Sequence, residues 1–125
     1  MVHLDVKPLS LNNAYRGRRF KTPELEQFKK DVGRLLPRLE IPAGPLSVTY
    51  TFGVSSKAAD GDNLIKVFQD CLGECYDFND KRIYEWHVCK IDVPKGREYI
   101  EFHISTIDTM PTVRYTGTKV DLPTN

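Results

Sequence analysis

The stretch Leu46-Ser47-Val48-Thr49-Tyr50-Thr51-Phe52 alternates without a break, apolar residues at the even positions and hydroxyl side chains between them, and Val54 extends the apolar set. A period of two puts each set on one side of an extended chain, so the segment predicts a β-strand with one buried face. That face needs a cover. Upstream, Thr22-Pro23-Glu24 has the form of a helix start: an N-cap threonine, a proline at the first helical position and acid in the first turn. Leu25, Phe28, Val32, Leu35 and Leu36 then recur at helical spacing until Pro37, where the helix should stop. Pro42, Gly44 and Pro45 mark the turn between the helix and the strand.

Downstream, Leu64, Phe68, Cys71, Leu72 and Cys75 form the stripe of a second helix that should fray near Gly73. Asp77-Phe78-Asn79-Asp80 reads as a turn, and Arg82 to Val93 as a long strand rich in β-formers. Pro94-Lys95-Gly96-Arg97 has the composition of a hairpin turn, with Ile100, Phe102 and Ile104 on the buried face of the returning strand. At the other end, Val2, Leu4 and Val6 suggest a short first strand, ended by Pro8 and followed by a long loop through Asn12, Asn13 and Gly17. The order β-α-β-α-β-β predicts a single α+β domain over residues 1–107, a mixed sheet covered by two helices. Residues 108–125 contain Thr, Pro and Gly with little periodicity and read as a C-terminal tail or dimer arm.

With 125 residues, 40% hydrophobic and 28% charged, the chain has enough apolar material for one core. It contains no apolar run near the ~20 residues of a membrane span and no basic-then-apolar leader, so a soluble, cytoplasmic protein is expected. Three cysteines in such a chain are expected as reduced thiols. A net charge of +1 excludes a generally polybasic nucleic-acid binder, yet the charge is unevenly spread. From Val6 to Pro23 there is no acid, while Lys7, Arg16, Arg18, Arg19 and Lys21 are interrupted by Tyr15 and Phe20. Such a loop suits phosphate contacts with occasional base stacking, or is a solvated loop.

The chemistry concentrates in Asp60-Gly61-Asp62-Asn63-Leu64-Ile65-Lys66, with Asp80 following. Hard oxygen ligands beside a fixed cation are the equipment of a magnesium site acting on phosphate. Asp62 and Lys66 lie opposite the apolar stripe, at the accessible start of the second helix, which Asp60 can cap. At i,i+4 spacing, Asp62 and Lys66 are equally an ordinary surface ion pair, as are Lys66 and Asp70. Cys71, Cys75, His87 and Cys89 offer another reading, four ligands of a structural zinc in a nucleic-acid-binding module, although their spacings match no common zinc motif.

The pattern Asp60-x-Asp62-Asn63-x-x-Lys66, with Asp80 in the acidic turn and the loop Pro8-Leu9-Ser10-Leu11-Asn12-Asn13-Ala14-Tyr15-Arg16, resembles the RusA family of Holliday junction resolvases over roughly residues 1–106. The resemblance implies a magnesium-dependent endodeoxyribonuclease, active as a homodimer on branched DNA in recombination and repair, with manganese able to substitute. It implies that Asp60, Asp62 and Asp80 hold the metal and that Lys66 is required for cleavage. DNA contacts are then expected from Asn12, Asn13, Tyr15, Arg16, Arg18, Arg19, Lys21 and Lys57. The chain departs from the family pattern at Ala58 and Ala59, where members often carry arginines.

Overall fold

The computed structural model describes residues 1–17 and 20–107; Arg18, Arg19 and the tail 108–125 lie outside the described residues. Its elements are β1 (Val2–Leu4), α1 (Leu11–Ala14), β2 (Tyr15–Arg16), β3 (Phe20–Lys21), α2 (Pro23–Leu35), β4 (Leu46–Val54), α3 (Gly61–Tyr76), a 3-10 turn (Asp80–Arg82), β5 (Ile83–Asp92) and β6 (Tyr99–Thr106). Four strands form one mixed sheet in the order β1-β6-β4-β5, and β2 and β3 form a separate small hairpin. The fold is a single-domain α+β arrangement, as the alternation of β4 and the two helical stripes predict.

The pairing of the last two strands differs from the expected hairpin. Pro94 to Arg97 does make a tight turn, closed by the Arg97 N–H to the Pro94 carbonyl at 3.0 Å, with Gly96 at φ +91°. The strands it joins are not neighbours. β6 lies between β1 and β4, antiparallel to both, and β5 runs parallel to β4 on its other side. Turn composition encodes a local reversal, whereas pairing follows the apolar face: Ile100 and Phe102 are fully buried opposite Phe52 and Tyr50. β5, by contrast, leaves most of its length exposed.

The helix-covered face carries Leu46, Val48, Tyr50, Phe52 and Val54 of β4, all buried. Phe68 of α3 stands edge-on to Tyr50 and to Phe102 at 5.6 Å each, and to Phe52 at 6.2 Å. Such pairs add about 0.5–1.5 kcal/mol beyond simple burial. On the other face Gly53 admits the Tyr99 ring, which would lie 2.5 Å from a Cβ at that position.

Thr22 caps α2 as expected, its Oγ1 accepting from the Leu25 N–H at 3.3 Å. The buried hydroxyl also lies 2.7 Å from the Asn13 carbonyl oxygen and 3.1 Å from that of Ala14, to one of which it donates. The segment expected as a plain loop therefore holds a turn of helix tied to the start of α2. In α3, Val67 and Gln69 join the buried set, whereas Cys75 is exposed, and the helix continues past Gly73 to Tyr76. No helix among the described residues is long and apolar enough to cross a membrane.

Candidate functional site

Asp60 occupies the N-cap position of α3 with extended backbone, but its side chain makes no capping hydrogen bond. Asp62 follows in the first turn, so two exposed carboxylates lie at the positive dipole end of the helix. Lys66 projects from the next turn. Its Nζ lies 3.0 Å from Asp70 Oδ1 and 3.8 Å from Asp80 Oδ2. Lys66 thus pairs forward along the helix with Asp70, and the expected alternative pairing with Asp62 is not formed. The hydrogen bond that Lys66 donates to Asp70, with the Asp80 charge adding to it, raises the Lys66 pKa above its ordinary value and keeps the ammonium charged.

What brings Asp80 to Lys66 is a reversal at the end of α3. Asp77 takes the left-handed conformation, φ 52° and ψ 57°, a geometry that aspartate tolerates better than most side chains. The Gly73 carbonyl accepts the Phe78 N–H at 3.2 Å and closes the helix. Asn79 then caps the 3-10 turn, its side-chain oxygen accepting from the Lys81 N–H at 2.9 Å. Arg82 donates to the carbonyls of Pro42 and Gly44, fixing the far side of the turn. Asp80 is therefore held from both directions, and its carboxylate stands in solvent beside the α3 lysine.

The amino-terminal segment lies along the first half of α3. A cavity of about 240 Å³ is bounded by Lys7, Asn12, Asn13, Ser56, Asp60 and Asn63, among others. A second, more open groove is formed by Leu11, Asn12, Tyr15, Gly17, Lys66 and Asp70. Asn12 belongs to both and links the carboxylate end to the lysine end. Arg16 and Lys21 are exposed on the β2–β3 hairpin, Arg16 opposite Phe20 and Lys21 opposite Tyr15. Lys57 is exposed in the loop that enters α3. Arg18 and Arg19 lie outside the described residues.

The structure thus gathers the Asn12–Asn13 turn, Asp60, Lys66 and Asp80 around one helix. It does not draw three acidic side chains into a metal-holding group: among the described residues no three of His, Cys, Asp or Glu are so placed. This applies equally to Cys71, Cys75, His87 and Cys89. Cys71 is buried under α2, where desolvation pushes its thiol up to about 12, while Cys75 and Cys89 are exposed and all three are free. The proposed zinc set is consequently dispersed over the core and the surface.

One residue near the site was not foreseen. Lys90 of β5 donates to the Ala59 carbonyl at 2.8 Å, bracing the loop immediately before Asp60. It reaches that loop because β5 runs parallel to β4 and places Lys90 opposite Phe52. The only sequence signal was an isolated lysine in a strand, which says nothing without that pairing. Comparison with known proteins adds no assignment: no protein-family model and no curated protein matches the chain.

Proposed function

We propose that this protein is a magnesium-dependent endodeoxyribonuclease that acts on branched DNA as a homodimer, cutting four-way junctions by paired nicks. The observation that carries the proposal is the Asp77 reversal, which brings Asp80 within 3.8 Å of Lys66 on the helix that begins with Asp60 and Asp62. A surface pair of Lys66 with Asp70 alone would need no such return of the chain.

The donor set is all oxygen, which suits magnesium, an ion that keeps several waters and commonly uses one or two protein carboxylates. Asp60 and Asp62 at the start of α3 would hold it, since Asp80 is drawn to Lys66 rather than into a group of three carboxylates, and when bound it supplies an activated water and offsets charge at the scissile phosphate. Lys66 presents a fixed positive charge to a phosphate oxygen. Asp80 orients that ammonium across the turn, and Asp70 orients it along the helix. The Asn12 side chain, with donor and acceptor groups between both ends of the site, suits the sugar and phosphate edge of a strand. Arg16, Lys21 and Lys57 supply positive charge to the flanking backbone.

Cleavage of a labelled four-way junction, a Y-fork and a linear duplex, in one salt condition with magnesium, manganese or excess chelator, tests the proposal. Metal-dependent cutting of a branched substrate is expected, lost in Asp62→Asn and in Lys66→Ala while binding persists. Absence of cutting on all three substrates, or cutting that survives these substitutions, would overturn it.

A further inference from the structure

The two edges of the main sheet are unlike each other. The β1 edge is three residues long, and its His3 is clamped by Asp5 and Glu101. The β5 edge is ten residues long, and Tyr84, Trp86, Val88 and Ile91 are 58, 46, 36 and 44% exposed. Trp86 and Val88 share the helix-facing side, beside the buried Val48 and Tyr50 of β4, and Tyr84 stands at the register shift between Ile83 and Glu85. The apolar layer of the core therefore continues onto β5, where α3 reaches Trp86 through Gln69 yet leaves that side chain half exposed. Among the described residues no strand pairs with the outer side of β5, so its outward N–H and C=O groups have no ladder partner.

Soluble proteins usually guard such an edge with an outward lysine, a proline or a bulge. In β5 the one lysine is turned back to the Ala59 carbonyl, proline enters only at Pro94, after the strand has ended, and the single register shift lies at the start of the strand, between Ile83 and Glu85, leaving Glu85 to Asp92 in regular pairing with β4. We propose that the β5 edge is a self-association surface, on which the β5 of a second copy pairs antiparallel about a two-fold axis through Trp86.

Geometry restricts the register. Antiparallel strands of one continuous sheet are related by an axis normal to that sheet, so directly opposed residues must lie on the same face. With the axis at Trp86, each Glu85 faces the other copy's His87, and each Val88 comes beside the other copy's Tyr84 at the register shift. Both contacts are made twice, as an isologous interface requires. On the open face Glu85 already accepts from Ser47 at 2.7 Å and lies 2.9 Å from its own His87, so the carboxylate is held in place for a second imidazole. An axis at His87 would instead set Glu85 against Cys89 and bring two histidines together. Charge complementarity selects the Trp86 register.

The axis leaves the helices of both copies on one side of an eight-stranded sheet. The two Lys90 residues, each beside its own Asp60 loop, are then separated by roughly 27 Å along the strands at about 3.3–3.4 Å per residue. This places both candidate sites toward the same solvent face. The surface itself follows from the edge and does not depend on the nuclease reading, because association is measured without DNA.

Light scattering with size exclusion on the full chain tests the proposal, with circular dichroism as the check on folding. Wild type is expected at twice the chain mass of 14.4 kDa. Val88→Lys, on an exposed edge position, should run at the single-chain mass with an unchanged spectrum. Glu85→Lys should weaken association at least tenfold, and adding His87→Glu should restore it by exchanging the charges. A monomeric wild type at tens of micromolar, or a charge exchange that restores nothing, would overturn the Trp86 register. A Val88→Lys variant that stays dimeric would show that the copies are held elsewhere, by residues 108–125 or another face, and would overturn the proposal. Loss of cleavage with the dimer intact would bear on the nuclease reading alone.

Discussion

Replacing Gln69 by leucine should destabilise this fold more than replacing both Gln69 and its partner. Gln69 is buried on α3, and its side-chain oxygen accepts from the Tyr50 hydroxyl and from the Trp86 indole N–H, each at 3.0 Å. One amide oxygen thus ties the helix to β4 and to β5. In Gln69→Leu the fully buried Tyr50 hydroxyl loses its acceptor, at a cost of about 1–3 kcal/mol. Trp86 is 46% exposed, so its N–H recovers a water and adds only a few tenths. The sum is about 2 kcal/mol, a drop of roughly 6–12 °C in melting temperature for a domain of this size. Tyr50→Phe removes the hydroxyl and leaves the Gln69 oxygen its bond from Trp86, at about 0.5–1.5 kcal/mol. The double variant carries no orphaned hydroxyl and should be more stable than Gln69→Leu alone. Calorimetry or urea melts of the four proteins close this double-mutant cycle. Additive losses, or a Gln69→Leu protein as stable as wild type, would refute the three-way link.

Asp77→Gly should leave stability within a few tenths of a kcal/mol, because glycine takes the left-handed conformation freely, whereas Asp77→Val should cost about 1–2 kcal/mol and reduce cleavage by displacing Asp80 from Lys66. Thiol labelling under native conditions should modify Cys89 and Cys75, with Cys71 modified only on unfolding; prompt native labelling of Cys71 by mass spectrometry would contradict its buried, raised-pKa environment. His3 has its pKa raised, first by the hydrogen bond to Glu101 and then by that to Asp5. The stability from its charged form is therefore complete below the unfolded value near 6.5 and is lost as pH rises through the folded value. Melts from pH 5 to 8 should show this small decline in wild type and not in His3→Gln.

Legibility differed with the range of the interaction. The strict alternation of Leu46 to Phe52, the Thr22-Pro23 start and the α3 stripe each follow from neighbours in sequence, and all reappear in the structure. The turn at Pro94 to Arg97 was equally readable, but the partner of β6 was not, because choosing β4 over β5 depends on which strand has a buried face to share. Cys75 fits the stripe by spacing yet faces solvent, since α2 covers only part of α3. At the site, Asp60, Asp62 and Lys66 were legible as one helix start. The approach of Asp80 depended on the left-handed backbone of Asp77, of which the turn composition Asp77-Phe78-Asn79-Asp80 shows the reversal but not its direction, and that of Lys90 on a parallel pairing, which leaves no mark in residue type.

The placement of β6 between β1 and β4 has a kinetic consequence. Among the described strands, the one that completes the middle of the sheet is the last to be synthesised, and it joins His3 to Glu101 across 98 positions. Until it emerges, β4 lacks one of its two neighbours, β1 lacks its partner, and the Phe68 ring waits for Phe102. The β4–α3–β5 unit is contiguous in the chain and can form early, leaving a groove along β4 into which β6 must be threaded. Closing so large a loop is entropically slow, so the sheet should form in two stages. During the interval the chain exposes strand edges to its neighbours, and the yield of folded protein should depend on concentration more steeply than the finished fold would suggest.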